Sequence, residues 1–278
     1  MYLTKWRFQK LTLSLTLPLA LGSYSDVKAS QPYYVSVDEF NHYQVSRPEG
    51  VNLLSKGRAG ERIKNFTNIF RFVLPSRGAP GKRKDAASRD CPVTAKPLTA
   101  LVPRTNIGLT ISERPNFWFY MPYQPTSPTE FILLDNKKNL VYKTTFEVKN
   151  TPGIINISLP QNVEPLKYGE TYNWIFSFIC NPSVRLQDVS VNGYVERVSL
   201  NRDQKSQLQQ ATTTQERIFL YAANGLWHET LTNLAEERGK NPEESEFTNY
   251  WNNLLRQPEI GLDEFVSEPI VSCCTPKP

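Results

Sequence analysis

The sequence has few of the residues that most often carry out catalysis or bind metals. Only two histidines, His42 and His228, occur among its 278 residues. A catalytic Ser or Cys needs a histidine held against it, and the sequence contains no G-x-S-x-G turn. Phosphate-binding loops, dinucleotide fingerprints, calcium loops and zinc-ligand spacings are missing as well. We therefore predict no cofactor and no metal, and we interpret both histidines as surface residues.

Long apolar runs are absent too. The clearest apolar stretch, residues 11–22, would rise about 18 Å as a helix, which is short of the ~30 Å hydrocarbon core of a membrane. It follows three basic residues and precedes small residues at Val27-Lys28-Ala29. This is the pattern of a signal peptide cleaved before Ser30, or alternatively at Ser25/Asp26. We expect the mature chain to be exported to the periplasm or the extracellular space without a stable membrane span.

Excess positive charge is small once the signal peptide is discounted. The formal net charge is +5, and residues 1–29 carry four Lys or Arg against one Asp, which leaves about +2 for the mature chain. A nucleic-acid partner is therefore not predicted. One short basic cluster, Lys82, Arg83 and Lys84, lies in the Pro/Gly-containing segment 76–90. It is either a contact for an anionic surface or part of a solvated linker.

Four cysteines remain in the mature chain. We favour a disulfide between Cys91 and Cys180, because these two flank the strand-rich region and exported proteins meet an oxidising compartment. Cys273 and Cys274 are neighbours in the C-terminal tail. They can form a vicinal disulfide, pair with another chain, or bind a soft metal, and the sequence does not decide between these alternatives.

Short runs rich in β-branched and aromatic residues, separated by turn signals, fill residues 98–200. We predict strands at 98–103, 107–112, 116–121, 131–135, 140–148, 153–160, 171–180 and 188–200. This count and spacing predict an immunoglobulin-like antiparallel β-sandwich. Tyr172 follows the turn signals Leu166 and Gly169, so we expect its hydroxyl to bond back to an upstream backbone group and fix that corner.

The stretch RPNFWFYMPY, residues 114–123, has five aromatic rings in ten positions. In a strand, Phe117 and Phe119 share one face and Trp118 and Tyr120 share the other. Because both faces are apolar, we predict a central strand that is covered by the opposite sheet on its Phe face. Trp118, Tyr120 and Tyr123 then remain eligible to contact a partner.

The apolar period becomes helical beyond residue 200. We predict three helices: one with a stripe from Leu208 to Ala222, one from Trp227 to Ala235 that ends at Gly239, and one that begins at Asn241-Pro242. The middle of this region resembles a single tetratricopeptide (TPR) unit. It either packs as a helical hairpin on the sandwich or docks on a repeat array of another protein.

These patterns predict a mainly β chain with a helical appendage. The predicted parts are a signal peptide (1–29), an N-terminal arm and basic linker (30–90), a β-sandwich domain (91–200), a three-helix TPR-like appendage (201–265) and a C-terminal tail (266–278).

Several of these segments together resemble a largely cyanobacterial exported family, domain of unknown function 928. The resemblance spans roughly residues 76–258 and rests on RGAPGKR before Cys91, LTALVP, GLTISERPNFWFYMPY, FILLD, TPGIINISLP, YNWIFSFIC and GLWHETLTNLAEERGKNP. The family often has a glycine-richer stretch where this chain has Lys84-Asp-Ala-Ala-Ser, so no special role is expected for that loop. The resemblance implies export and brings no catalytic residues.

Three functions compete at this point. The favoured one is a non-enzymatic module that binds another envelope or secreted protein. The second is a binder of a surface polysaccharide that uses Trp118, Tyr120 and Tyr123 as stacking platforms, which requires those rings to be exposed. The third is a hydrolase, in which either two carboxylates or a nucleophile and a histidine meet in a cleft. The acidic residues available in the strand region are Glu113, Glu130, Asp135 and Glu147.

Overall fold

The computed structural model describes residues 70–85, 91–124, 128–240 and 246–276. These belong to one compact unit of the chain, residues 57–278. The predicted signal peptide, most of the predicted arm with His42, and the helix start predicted at Asn241-Pro242 lie outside the described residues.

Strands and helices occur in the order that the sequence predicts. The strands are β1 (Lys84–Asp85), β2 (Leu98–Ala100), β3 (Ile107–Thr110), β4 (Asn116–Met121), β5 (Thr129–Leu134), β6 (Leu140–Glu147), β7 (Gly153–Ser158), β8 (Thr171–Phe178), β9 (Val189–Arg197) and β10 (Thr275–Pro276). The helices are α1 (Arg202–Gln210), α2 (Thr214–Ala223), α3 (Trp227–Lys240) and α4 (Glu246–Arg256). The prediction of a mainly β chain with helices after the strands is confirmed.

The strands form two sheets that face each other. One has the order β1-β2-β4-β7 and the other β10-β6-β5-β8-β9-β3. All pairs are antiparallel except β3 with β9, which run parallel, so the expectation of a purely antiparallel arrangement is corrected. Residue alternation predicts which face of a strand is buried but does not specify the neighbouring strand or its direction.

Strand β4 lies in the middle of its sheet and is buried on both faces. Phe119 stacks on Phe176 of the six-stranded sheet, with ring centroids 4.1 Å apart. On the other face, Trp118 and Tyr120 belong to a second apolar cluster together with helices α2, α3 and α4. The prediction of a central strand with a core-facing Phe side is confirmed. The resulting arrangement has three layers: helices, a four-stranded sheet and a six-stranded sheet.

The first predicted helix is divided into α1 and α2, so the prediction of three helices is wrong. Thr213 caps α2: its side chain accepts a hydrogen bond from the Glu216 N–H, and the Glu216 side chain accepts one from the Thr213 N–H. This capping box starts a new helix in the middle of the apolar stripe. Helix α3 continues through Gly239 and ends at Lys240, one residue later than predicted.

The predicted tyrosine corner is present. Tyr172 lies at the start of β8, and its hydroxyl accepts a hydrogen bond of 3.0 Å from the Lys167 N–H. Leu166 beside it is fully buried. The bond therefore fixes the connection from β7 to β8 against the core.

Across the described ranges, no helix combines the length and apolar character that crossing a membrane requires.

Removal of the Tyr172 hydroxyl tests the corner. Because Tyr172→Phe deletes one hydrogen bond to the backbone and keeps the ring, we expect a loss of about 1 kcal/mol in the free energy of unfolding. Urea denaturation should show a lower midpoint with an unchanged slope. Tyr168→Phe is the matched control, because Tyr168 is exposed and nearby. Equal stability of both variants would contradict the role of the corner.

Candidate functional site

The three aromatic residues proposed as partner contacts are interior residues. Trp118, Tyr120 and Tyr123 are only 1–6% exposed. The Trp118 indole N–H donates to Thr232 in α3 at 2.9 Å, and Tyr123 stacks on Phe178 with centroids 4.2 Å apart. A stacking platform for sugars needs an open ring face. The expectation that these rings contact a ligand is therefore wrong, because helices and the opposite sheet cover both sides of β4.

The basic cluster is bound within the molecule. Lys82 pairs with Asp85, and Lys84 pairs with Glu264. The Arg83 guanidinium turns inward and donates to the carbonyl oxygens of Val102 at 3.0 Å and of Gly261 at 2.9 Å. The three cations that the sequence offered as one possible contact for an anionic surface therefore all have partners within the chain. The sequence alone could not show that acceptors from distant parts of the chain surround these cations.

The same segment connects the two sheets. Its Arg83 carbonyl accepts from the Ala100 N–H in β2, and its Lys82 carbonyl accepts from the Asn192 N–H in β9, both at 2.9 Å. The Asp85 carboxylate also accepts from the Ser190 N–H at 2.7 Å. Residues 82–85 of the predicted loop therefore form a structural strip between the two sheets, and their short strand β1 was not predicted.

His228 lies at the start of α3 and is buried against β4, so the prediction of a surface histidine is wrong. Its Nδ1 lies 2.8 Å from the Asn116 carbonyl oxygen, and its ring packs edge-on against Phe117. Burial lowers the pKa of His228 to about 4, although the hydrogen bond to Asn116 acts in the opposite direction. The cavity beside it measures about 10 Å³, room for at most one water molecule. His228, Leu231 and Ala235 lie on the same buried face of α3. Their helical spacing is the signal that sequence analysis missed.

Glu229, the next residue, joins the start of α3 to the end of β3. One of its carboxylate oxygens accepts hydrogen bonds from the Thr110 hydroxyl at 2.6 Å and from the N–H groups of Ile111 at 2.9 Å and Ser112 at 3.0 Å. Burial raises the pKa of Glu229, and these bonds partly offset that effect. The carboxylate therefore acts as a clamp between a helix and a sheet.

The carboxylates considered for hydrolysis have separate partners. Glu113 pairs with Arg114 and Arg197, whereas Asp135 accepts bonds from two backbone N–H groups of its own hairpin turn. Glu130 is buried and pairs with Lys143 and Arg185, both at 2.8 Å. Burial acts to raise the pKa of Glu130, but these hydrogen bonds outweigh it and leave the pKa lowered. Glu147 lies in β6, opposite Thr275 of β10.

All four cysteines are in disulfides. Cys91 is joined to Cys180, with Cα atoms 5.2 Å apart and a sequence separation of 89 residues. Cys273 is joined to its neighbour Cys274, which is the first of the three alternatives that the sequence left open. No group of three or more His, Cys, Asp or Glu in the described part of the chain is arranged to hold a metal ion.

The loop after Cys180 is held in one conformation by several contacts. We call residues 181–188 the disulfide loop. The Asn181 side chain accepts from the Ser183 N–H, and its carbonyl accepts from the Val184 N–H, both at 3.0 Å. Arg185 starts a 3-10 turn and reaches both Asp188 and Glu130. The Cys91 sulfur lies 3.6 Å from the Gln187 carbonyl oxygen, so the loop is fixed at both ends.

Three aliphatic side chains on the two segments joined by this disulfide are exposed. Leu186 is 100% exposed, Val93 is 93% exposed and Val184 is 39% exposed. Val93 is two residues from Cys91, so its Cα lies within about 8 Å of the disulfide. We name these three residues the apolar tip. Sequence analysis missed the tip because an isolated Val or Leu in a turn gives no periodic signal.

The buried histidine should make stability depend on pH. Since the folded-state pKa of His228 is about 4, below the ordinary value of 6.5, the unfolded chain binds the proton more readily. Stability should therefore fall by about 3 kcal/mol as the pH drops from 6.5 to 4. Denaturant unfolding at a series of pH values measures this loss.

His228→Gln provides the comparison. It removes the titrating ring and leaves His42, Glu229 and the other acidic residues in place, so the difference between the two pH curves belongs to His228. We expect a flatter curve for the variant between pH 6.5 and 4. Parallel curves over this range would contradict the assignment.

Comparison with protein families identifies the chain. The family model described as Domain of Unknown Function (DUF928) matches residues 79–270. No curated protein is significantly similar to the chain. The match covers well over half of the sequence and includes all four helices and every described strand except β10, as the resemblance of the sequence motifs predicted. The chain belongs to the DUF928 family.

Proposed function

We propose that this protein is an exported, non-enzymatic module that binds another envelope or secreted protein through its apolar tip. The observation that carries the proposal is the full exposure of Leu186 on a loop held by a disulfide, a 3-10 turn and two ion pairs. Single exposed aliphatic residues are common on protein surfaces. Three of them grouped at one rigid end are a candidate anchor.

Rigidity favours binding at this site. A loop that is already ordered loses little conformational entropy when a partner captures it. Arg185 fixes the backbone around Leu186 through Glu130 and Asp188, so the leucine is presented in the same place before and after binding. An aliphatic anchor of this kind fits a complementary pocket on a protein.

The charges around the tip favour an apolar contact. Arg185 and Lys143 are satisfied by Glu130 and Asp188, so the two cations and two anions at this end balance. An anionic surface would find little excess positive charge here. We infer a partner with a neutral apolar pocket.

The two buried titratable residues, His228 and Glu229, have structural contacts, which favours a binding role for the protein over a catalytic one. His228 and Glu229 hold α3 to the sheets, through Asn116 in one case and residues 110–112 in the other. Their hydrogen bonds stabilise the helical layer, which is the role we assign to them.

The proposal also includes export of the protein and two specific fold assignments, an immunoglobulin-like sandwich and a TPR-like hairpin. Residues 1–29 have the pattern of a signal peptide, and two disulfides suit an oxidising compartment. We interpret the sheets as an immunoglobulin-like sandwich. We interpret α2 and α3, which turn at Gly225 with a φ of +70°, as a TPR-like hairpin that packs on that sandwich.

Capture from an envelope extract tests the proposed tip. The mature chain is immobilised as the native sequence, as a Val93→Ser/Leu186→Ser variant, and as a Leu140→Ser control that changes another exposed aliphatic residue. Loss of two apolar anchors should reduce recovery of the partner at least about tenfold, measured by quantitative mass spectrometry. The control should retain the partner. Equal recovery by the tip variant and the native chain would contradict the proposal.

A further inference from the structure

The C-terminal residues cross from strand β7 of the four-stranded sheet to strand β6 of the six-stranded sheet. We call residues 269–276 the C-terminal strap. The Ile154 N–H in edge strand β7 donates to the Pro269 carbonyl at 2.7 Å, and the Val271 N–H donates to the Ile154 carbonyl at 2.9 Å. Val271 also fits closely over Gly153, where an added Cβ would lie 2.8 Å from a Val271 methyl group. The first part of the strap is therefore firmly seated on the four-stranded sheet.

The end of the strap reaches the other sheet. There, β10 pairs antiparallel with β6 through Thr275 opposite Glu147 and Pro276 opposite Phe146. This pairing is two residues long, and Pro276 has no N–H to donate. Hydrogen bonds between the strands alone are too few to fix β10 in place.

The vicinal disulfide lies between these two attachments. Cys273 and Cys274 are half-buried and pack against the core between the sheets. Cys274 has a φ of +77°, a left-handed backbone conformation that a residue other than glycine seldom adopts. A disulfide between sequence neighbours closes a small ring that includes their peptide bond, so it restricts the backbone at this position and directs the next residues toward β6.

We propose that the Cys273–Cys274 disulfide is a redox-sensitive latch, and that its reduction by a dithiol releases β10 and opens the edge of β6 at Phe146 and Glu147. This inference is independent of the proposed function, because the apolar tip is formed by other residues. Without the ring, Cys274 can leave the left-handed region, and the chain after it loses its direction. An open strand edge of this kind is a surface for pairing with another strand.

The chemistry is ordinary thiol–disulfide exchange. A thiolate of the dithiol attacks one sulfur of the pair, the sulfur–sulfur bond breaks, and a mixed disulfide forms. The second thiol of the reductant then displaces the protein sulfur and forms its own disulfide. Two electrons and two protons pass to Cys273 and Cys274, which become thiols.

The other disulfide is placed differently. Cys91 is buried beside the Gln187 carbonyl and its partner Cys180 is half-buried, so one sulfur of that bridge is shielded, whereas both members of the vicinal pair are half-buried and open to a small reductant. Access is one determinant of exchange rates. We therefore expect the vicinal pair to be reduced first.

The test uses the mature chain and dithiothreitol as the dithiol. Thiol alkylation with mass spectrometry identifies the dithiothreitol concentration at which Cys273 and Cys274 are reduced and the Cys91–Cys180 bridge is intact. Amide hydrogen exchange is then compared between oxidised and reduced protein. We expect exchange in peptides that cover residues 144–149 to become at least about tenfold faster on reduction, while peptides from β9 remain unchanged.

A Cys273→Ser/Cys274→Ser variant provides the matched comparison, since it should exchange like the reduced native chain with or without dithiothreitol. If this variant does not fold, the comparison of amide exchange between the oxidised and the reduced native chain is the test. Unchanged protection of residues 144–149 after verified reduction of the pair would overturn the latch. Equal acceleration in β6 and β9 would also overturn it, because that result means general unfolding.

Discussion

The burial of strand β4 on both faces is the constraint on which the other parts of the structure depend. Its Phe side closes the space between the two sheets, and its Trp and Tyr side is the floor on which the helices pack. Two indole N–H groups fix this second contact: Trp118 donates to Thr232, and Trp227 donates to the Leu101 carbonyl, both at 2.9 Å. Because buried N–H groups need partners, the helical layer has a defined position on the sheet.

Local pattern predicted most of the strands, and its failures have physical causes. The eight longer strands alternate or carry β-branched and aromatic runs, and those signals depend only on neighbouring residues. Strands β1 and β10 are two residues long and exist because distant strands offer them hydrogen-bond partners. The parallel pairing of β3 with β9 likewise depends on tertiary contacts between distant segments, which the local pattern does not encode. The break before α2 was different, because its signal, Thr213-x-x-Glu216, was present and was masked by an apolar stripe that continues past it.

The candidate sites were harder to predict because their chemistry depends on neighbours that the sequence keeps far apart. Lys82, Arg83 and Lys84 look like a basic patch in the sequence, yet their partners include Glu264 and the carbonyl oxygens around residue 260. His228 looks exposed because the polar residues Glu229 and Thr230 follow it, yet it is buried, and its Nδ1 lies 2.8 Å from the Asn116 carbonyl oxygen. The Cys91 and Cys180 pairing was accessible to sequence reasoning, since two cysteines that flank the strand-rich region have few alternative partners.

The Cys91–Cys180 bridge also determines how the molecule responds to a protease. Seven of the ten described strands, β2 to β8, lie between these two residues. The exposed turn at residues 136–139 lies between them as well. A single cut in that turn leaves two pieces joined through sulfur, and the hydrogen bonds between β5, β6 and β8 still hold them side by side. After a cut between α1 and α2, no disulfide joins α2, α3 and α4 to the strands that precede them. Packing and hydrogen bonds alone then hold these helices on the sheet. In a compartment rich in proteases, the sandwich can be nicked and still persist, whereas the helical layer depends on an intact chain.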